Sequence, residues 1–169
     1  MKRIGLAALL LMGLLLAACA PAAETVTVWY AVADPELRET VYPVEIAVPE
    51  GETPLDTARR ALFIPPEDDV LYVPIPQGVG VRSLTLEDGL LTLDLSGPYG
   101  ELAGMGLTTA DACIVLTMTQ LPEVEAVCIT VYGKPVPARE EQVLTADDFL
   151  YEIAPAEESA AETPAAPGT

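Results

Sequence analysis

The chain contains no histidine and no asparagine, a single tryptophan, and serine only at positions 83, 96 and 159. A Ser-His-Asp triad, a Cys-His pair and a His-ligated zinc site therefore cannot be assembled from one copy of this protein. Basic residues are also scarce, with 8 Lys and Arg against 26 Asp and Glu. If Lys2 and Arg3 are removed with a leader, Lys134 is the only lysine left and the balance becomes −20. Such a surface repels phosphate backbones and anionic lipid headgroups, so nucleic acid is not an expected partner and membrane attachment has to come from elsewhere. Carboxylates, tyrosines and two cysteines are the remaining chemical groups. A carboxylate-only glycosidase stays formally open, but no Asp or Glu stands in a context that marks it for that work. No enzyme activity, metal or cofactor is expected.

What is present begins at the N-terminus. Lys2 and Arg3 precede an apolar run, Ile4 to Ala18, that ends in small residues before Cys19. This is the layout of a secretory signal peptide over residues 1–18. As a transmembrane helix the run is marginal, and no basic stop-transfer cluster follows it. "LAAC", Leu16 to Cys19, resembles the lipobox of bacterial lipoproteins, in which the cysteine becomes the first mature residue and carries a lipid. Each buried methylene contributes about 0.8 kcal/mol, so one acyl chain holds marginally and two hold stably. Cys19 is the expected lipid-attachment site, on the extracytoplasmic face of the cell membrane. Residues 19–24 form a tether that reaches at most about 20 Å, and residues 154–169, rich in Ala, Pro and Glu, read as a disordered tail.

Between these ends, residues 25–153 read as one domain large enough for a core. "TVTVWYAVA" alternates Val26, Val28, Tyr30 and Val32 against Thr27, Trp29 and Ala31, and "YPVEIAVP" repeats the pattern. Two strands follow, paired as a loose hairpin across "DPELRE". "TPLDTARRALFI" carries Thr53 as N-cap, Pro54 at the first helical position and Asp56 three residues after the cap, which predicts a helix from Pro54 to about Ile64. The acidic "EDD" at 67–69 lacks calcium-loop spacing and reads as a solvated loop. In "VRSLTLEDGLLTLDLS" the leucines alternate on both sides of Asp88-Gly89, the pattern of a tight hairpin. "SGPYGELAGMG" reads as a flexible connection or contact surface rather than a phosphate cradle, because no lysine is near it.

"TTADACIVLTMTQL" predicts a helix capped by Thr108 or Thr109 and stopped by Pro122, with Ala110, Ile114, Met118 and Leu121 on its core face. "VEAVCITVY" is a further strand, on which Cys128 points away from the face of Val127, Ile129 and Val131. Cys113 sits on the helix covering that face, so two separate thiols are the expectation for an exported chain and a disulfide is the less favoured alternative. "LTADDFLYEI" fits either a short helix or an edge strand.

The element order implies an α/β fold, a two-layer plait-like mixed sheet with two helices packed on one face. "IPQGVGVRSLTLEDGLLTLDLS" (Ile75 to Ser96) and "LTMTQLPEVEAVCITVYGKPV" (Leu116 to Val136) resemble the GerMN domain of sporulation and spore-germination proteins and of other bacterial envelope lipoproteins. The likeness rests on the "IP-x-G" entry, the "DG" hairpin, the "LDLS" strand end, the "T-x-T-x-L-P-x-V" helix exit and the terminal "G-x-P". Pro65-Pro66 stands where the family often has Gly-Pro, and there is room for one copy where the namesake proteins carry two. The resemblance implies scaffolding without catalysis: contacts with envelope or sporulation proteins, with a homo-oligomer admitted. The open sheet face is the expected contact surface, with Trp29, Thr130 and Tyr132 as its candidates. An alternative packs Trp29 beneath the C-terminal segment around Phe149. A wall glycan or small ligand is the second reading of the same face. Asp94 and Ser96 in "LDLS" read as structural polar groups.

Overall fold

The computed structural model describes residues 24–34 and 40–149. The signal peptide, Cys19, the tail and most of the "DPELRE" connection lie outside the described residues. Strand β1 (Thr25–Val32) pairs antiparallel with β2 (Val41–Ala47), placing Val28 opposite Val44 and Tyr30 opposite Tyr42. Helix α1 (Pro54–Ala61) starts as its sequence dictates, with the Asp56 N–H donating to Thr53 Oγ1 at 3.1 Å. It ends before Ile64 because Pro65 disfavours a helical Ile64, and the Phe63 and Ile64 N–H groups turn to the Arg60 and Ala61 carbonyls. Strand β3 (Leu71–Tyr72) then joins the other side of β1.

Strands β4 (Val81–Glu87) and β5 (Leu90–Leu95) form the Asp88-Gly89 hairpin, with both turn residues at positive φ, 48° and 82°. That is the combination a two-residue turn between right-twisted strands requires. A 3-10 helix (Gly97–Glu101) and α2 (Gly104–Met118) carry the chain across to β6 (Ala126–Val131), which lies parallel to β5 with Leu93 beside Ile129. Two-residue strands β7 (Lys134–Pro135) and β8 (Val143–Leu144) pair with β6. A 3-10 turn over Ala146–Phe149 packs against α2, so the "LTADDF" segment combines an edge strand with a helical turn.

Among the described residues the fold is α/β with two α-helices, and the strands divide into two sheets, ordered β2-β1-β3 and β4-β5-β6-β7, with β8 also paired to β6. The division has a local cause. Along the part of β1 that β3 does not cover, α2 and the turn just after it supply the hydrogen bonds a further strand would make. Thr117 Oγ1 accepts from the Trp29 N–H at 2.9 Å, Gln120 Oε1 accepts from the Thr27 N–H at 2.6 Å, and Gln120 Nε2 donates back to the Thr27 carbonyl. A side-chain amide here takes the place of a backbone and closes the edge. On the far side of the same sheet, Pro43 faces Trp29 in a pair whose backbone groups point outward, so the edge of β2 lacks a donor at its middle.

Helix α2 differs from its sequence reading in two respects. It begins at Gly104 with Ala103 at the cap and no side-chain capping bond, while Thr108 lies inside it and donates to the Gly104 carbonyl. It is also buried on more than one face. Ala110, Ile114 and Met118 are in the core, and so are Ala112, Cys113 and Val115 on other sides of the helix. The helix contacts β1, β6, α1 and the last 3-10 turn. The leucine and valine stripes are core as expected: Leu91, Leu93, Leu95, Val127, Ile129 and Val28 are all fully buried. The glycine-rich segment is no loose connection, because Tyr99 in its 3-10 helix is completely buried.

Candidate functional site

The face of the second sheet away from the leucines is built by strand alternation. Its cross-strand rows run Thr85, Thr92, Cys128, Val143 and Ser83, Asp94, Thr130, Pro135. At one end, β6 turns into β7 through Tyr132-Gly133, both at positive φ, 52° and 70°. Glycine accepts that conformation freely; a tyrosine does so at a cost of order 1–3 kcal/mol and only where its neighbours hold it.

Asp94 and Arg82 are those neighbours. Asp94 Oδ1 accepts from the Gly133 N–H at 2.7 Å and from the Thr130 hydroxyl at 2.9 Å, and its Oδ2 accepts from Arg82 Nε at 3.0 Å. The Arg82 guanidinium in turn lies over the Tyr132 ring, 4.8 Å from its centre. Arg82 reaches this position because a β-bulge between Val81 and Ser83 inserts it as an extra residue. Tyr132 remains 56% exposed. The Gly133 N–H, then Thr130 and Arg82, hold the Asp94 carboxyl below the usual carboxylate range.

Because the folded pKa is depressed, the stabilisation from Asp94 is fully present above the unfolded value near 4 and is lost as pH falls through the lower folded value. Thermal melts between pH 6 and pH 3 are expected to show a smaller loss for Asp94→Asn than for the parent chain. Asp94→Ala at pH 7 is expected to cost about 1.5–3 kcal/mol, since it strips a charged acceptor from three donors.

The structure thus brings Thr130 and Tyr132 together and adds Arg82 and Asp94 to them. It does not bring Trp29 to the same place. Trp29 belongs to the first sheet, is half-buried and packs against the core, with Pro43 opposite it. Phe149 is buried too. Arg82 could have been suspected only from its position beside an alternating leucine strand, which carries no hint of a bulge. Ser96 has the structural role expected of it, its Oγ accepting from the Gly80 N–H at 3.0 Å.

A second polar constellation lies inside the domain. Asp111, on α2, receives the Tyr99 hydroxyl at 2.6 Å and the Arg139 guanidinium through Nε at 3.0 Å and through NH2. Arg139 also donates from NH1 to the Ile129 carbonyl at 3.2 Å, and both charged side chains are 6% exposed. Burial pushes the Tyr99 phenol well above its ordinary value. These groups pin the 136–142 loop to α2 and β6. No buried side-chain polar atom among the described residues lacks a partner.

Cys113 and Cys128 are both free thiols, as the strand parity implied. Burial pushes the Cys113 thiol up to about 12, whereas Cys128 is half-buried on the open face. In a Cys19→Ala chain, a thiol-disulfide reagent at pH 8 is expected to modify Cys128 alone, and both thiols only after urea is added. Modification of Cys113 in the native protein would contradict this placement.

The Germane family, described by sporulation and spore germination, matches residues 27–137. The tandem GerMN domains of the sporulation protein GerM from Bacillus subtilis are similar at 24% identity and a TM-score of 0.57, over 76% of this chain and 47% of that one. The first GerMN domain of the same protein is similar at 15% identity and a TM-score of 0.58, over 74% of this chain and 99% of that one. The chain therefore spans about half the length of the tandem structure and nearly all of the single domain. No curated protein matches.

Proposed function

The chain belongs to the Germane family of sporulation and spore-germination domains, and from that premise we propose that it is a lipid-anchored envelope protein whose single domain makes non-catalytic assembly contacts. In this reading, residues 1–18 are the leader, Cys19 carries the lipid on the extracytoplasmic side, and the short tether keeps the domain against the membrane. The observation that carries the contact role is Tyr132: an exposed aromatic held at a left-handed backbone by Asp94 and Arg82. Strain of this kind persists where the presented side chain has a use, and a rigid aromatic ring beside an arginine is the composition of an interface anchor.

The carboxylates support the non-catalytic part of the proposal. Asp94 and Asp111 are the buried ones among the described residues, and both are consumed by structural donors. The partners in this reading are envelope or sporulation proteins. Tyr132→Ser relieves backbone strain only slightly and removes the ring, so the variant is expected to melt close to the parent. Crosslinked partner recovered from host membranes should nevertheless fall about tenfold, the loss of one anchor of roughly 1.4 kcal/mol. Undiminished recovery would move the contact elsewhere. Saturable binding to purified wall fragments, lost in the same variant, would instead favour glycan recognition.

A further inference from the structure

Seven large hydrophobic residues are exposed among the described residues. Val70 and Tyr72 alternate away from Leu71 of β3, whereas Tyr42 on β2 and Ile64 just past α1 line a common groove with Leu71. The groove has a volume of about 480 Å³. Its floor is made by Tyr30, Val44, Ile46 and Ala61 and its wall by Ile64 and Leu71. Pro65 and Pro66 form part of the lining and give the wall a stiff backbone. Exposed apolar side chains gathered along a groove mark an interaction site far more often than scattered residues do.

The polar groups around the groove indicate what it would accept. The Tyr30 hydroxyl already donates to the Ala61 carbonyl at 3.1 Å, so the floor presents its ring and not a free donor. Arg60 lines the groove, but its guanidinium is turned to Glu52, at 3.0 Å and 3.3 Å, and that ion pair cancels its charge. Glu67 and Asp68 are the other charged residues of the lining. The site is thus apolar inside and negative at its rim.

We infer that this groove receives a segment of a partner protein that inserts apolar side chains and carries lysine or arginine beside them. The acidic rim selects that occupant over the rivals. An anionic membrane surface is repelled by Glu67 and Asp68 and by the chain's overall charge. A second copy brings the same excess of carboxylates, and the chain's own C-terminal residues are acidic too. The inference rests on reading the domain as a protein-contact module and adds a surface separate from the Tyr132 face.

The test is photocrosslinking in the full-length, membrane-bound chain, with benzoylphenylalanine placed at Ile64 in one sample and at Tyr132 in another. Because Ile64 is 46% exposed, the replacement is compatible with folding, which a melt verifies. The expected result is an adduct at Ile64 with another protein, mapped by mass spectrometry to an apolar segment bearing Lys or Arg. Its yield should fall at least fivefold in a Glu67→Lys, Asp68→Lys background and on raising salt. Adducts at Tyr132 but none at Ile64 would overturn the groove while leaving the assembly role intact; adducts at neither would count against both. An adduct at Ile64 with lipid, with a second copy, or with the chain's own C-terminal segment would also overturn it, as would a yield indifferent to the two lysines.

Discussion

Arg139→Met is expected to destabilise the domain by about 3–5 kcal/mol, because it leaves the Asp111 carboxylate buried without its counter-charge. The loss comes from desolvation and not from a missing attraction alone. Little of Asp111 meets water, and the Tyr99 hydroxyl supplies one hydrogen bond where a charged fork supplied two more. Replacing the whole constellation, Asp111→Leu with Arg139→Met and Tyr99→Phe, removes the buried charge together with its partners. That triple variant is expected to recover most of the loss, short of what the Ile129 carbonyl gives up. Urea denaturation measures both: a lower midpoint at unchanged slope for the single variant, and a midpoint near the parent for the triple one. If the triple variant were less stable than Arg139→Met, the ion pair would be contributing far more than its desolvation costs.

The second large effect concerns α2. Ala112 lies about 200° around the helix from Ala110, opposite the stripe of Ala110, Ile114 and Met118. A helix covering one face of one sheet would expose Ala112 to water, and Ala112→Glu would then cost a few tenths of a kcal/mol. In the observed fold Ala112 is 1% exposed, so the same substitution buries an unpaired carboxylate and is expected to cost about 3 kcal/mol or more. A melt within a degree or two of the parent would show that α2 has a free face and that the enclosed arrangement is wrong.

How much of this was legible in the sequence depends on the range of each signal. The β4-β5 hairpin was, because alternating leucines around Asp88-Gly89 fix register and turn within sixteen residues. The start of α1 was, because Thr53, Pro54 and Asp56 act on their own first turn. The enclosure of α2 was not. From Ala110 to Met118 apolar residues occur on nearly every side of the helix, and periodicity cannot orient a helix that has little polar face. The division into two sheets was equally hidden, since it turns on Gln120 bonding to Thr27, 93 residues away, as a strand would. At the candidate site, strand parity placed Thr130 on the open face and set Cys128 apart from Cys113. What joins Arg82 to Tyr132 is a bulge on one strand and a left-handed turn after another, and neither has a one-residue signature. Trp29 would join them only on a single continuous sheet; with two sheets it is separate.

In the proposed reading, Cys19 holds an assembly module against the membrane. A crosslinking pulldown from membranes of the native host, comparing the intact chain with Cys19→Ala and identifying what co-purifies, is the most direct test. Envelope or sporulation assembly proteins are expected with the anchored form, and their loss with the Cys19→Ala form. Recovery of wall fragments and no protein, equally with both forms, would contradict that reading.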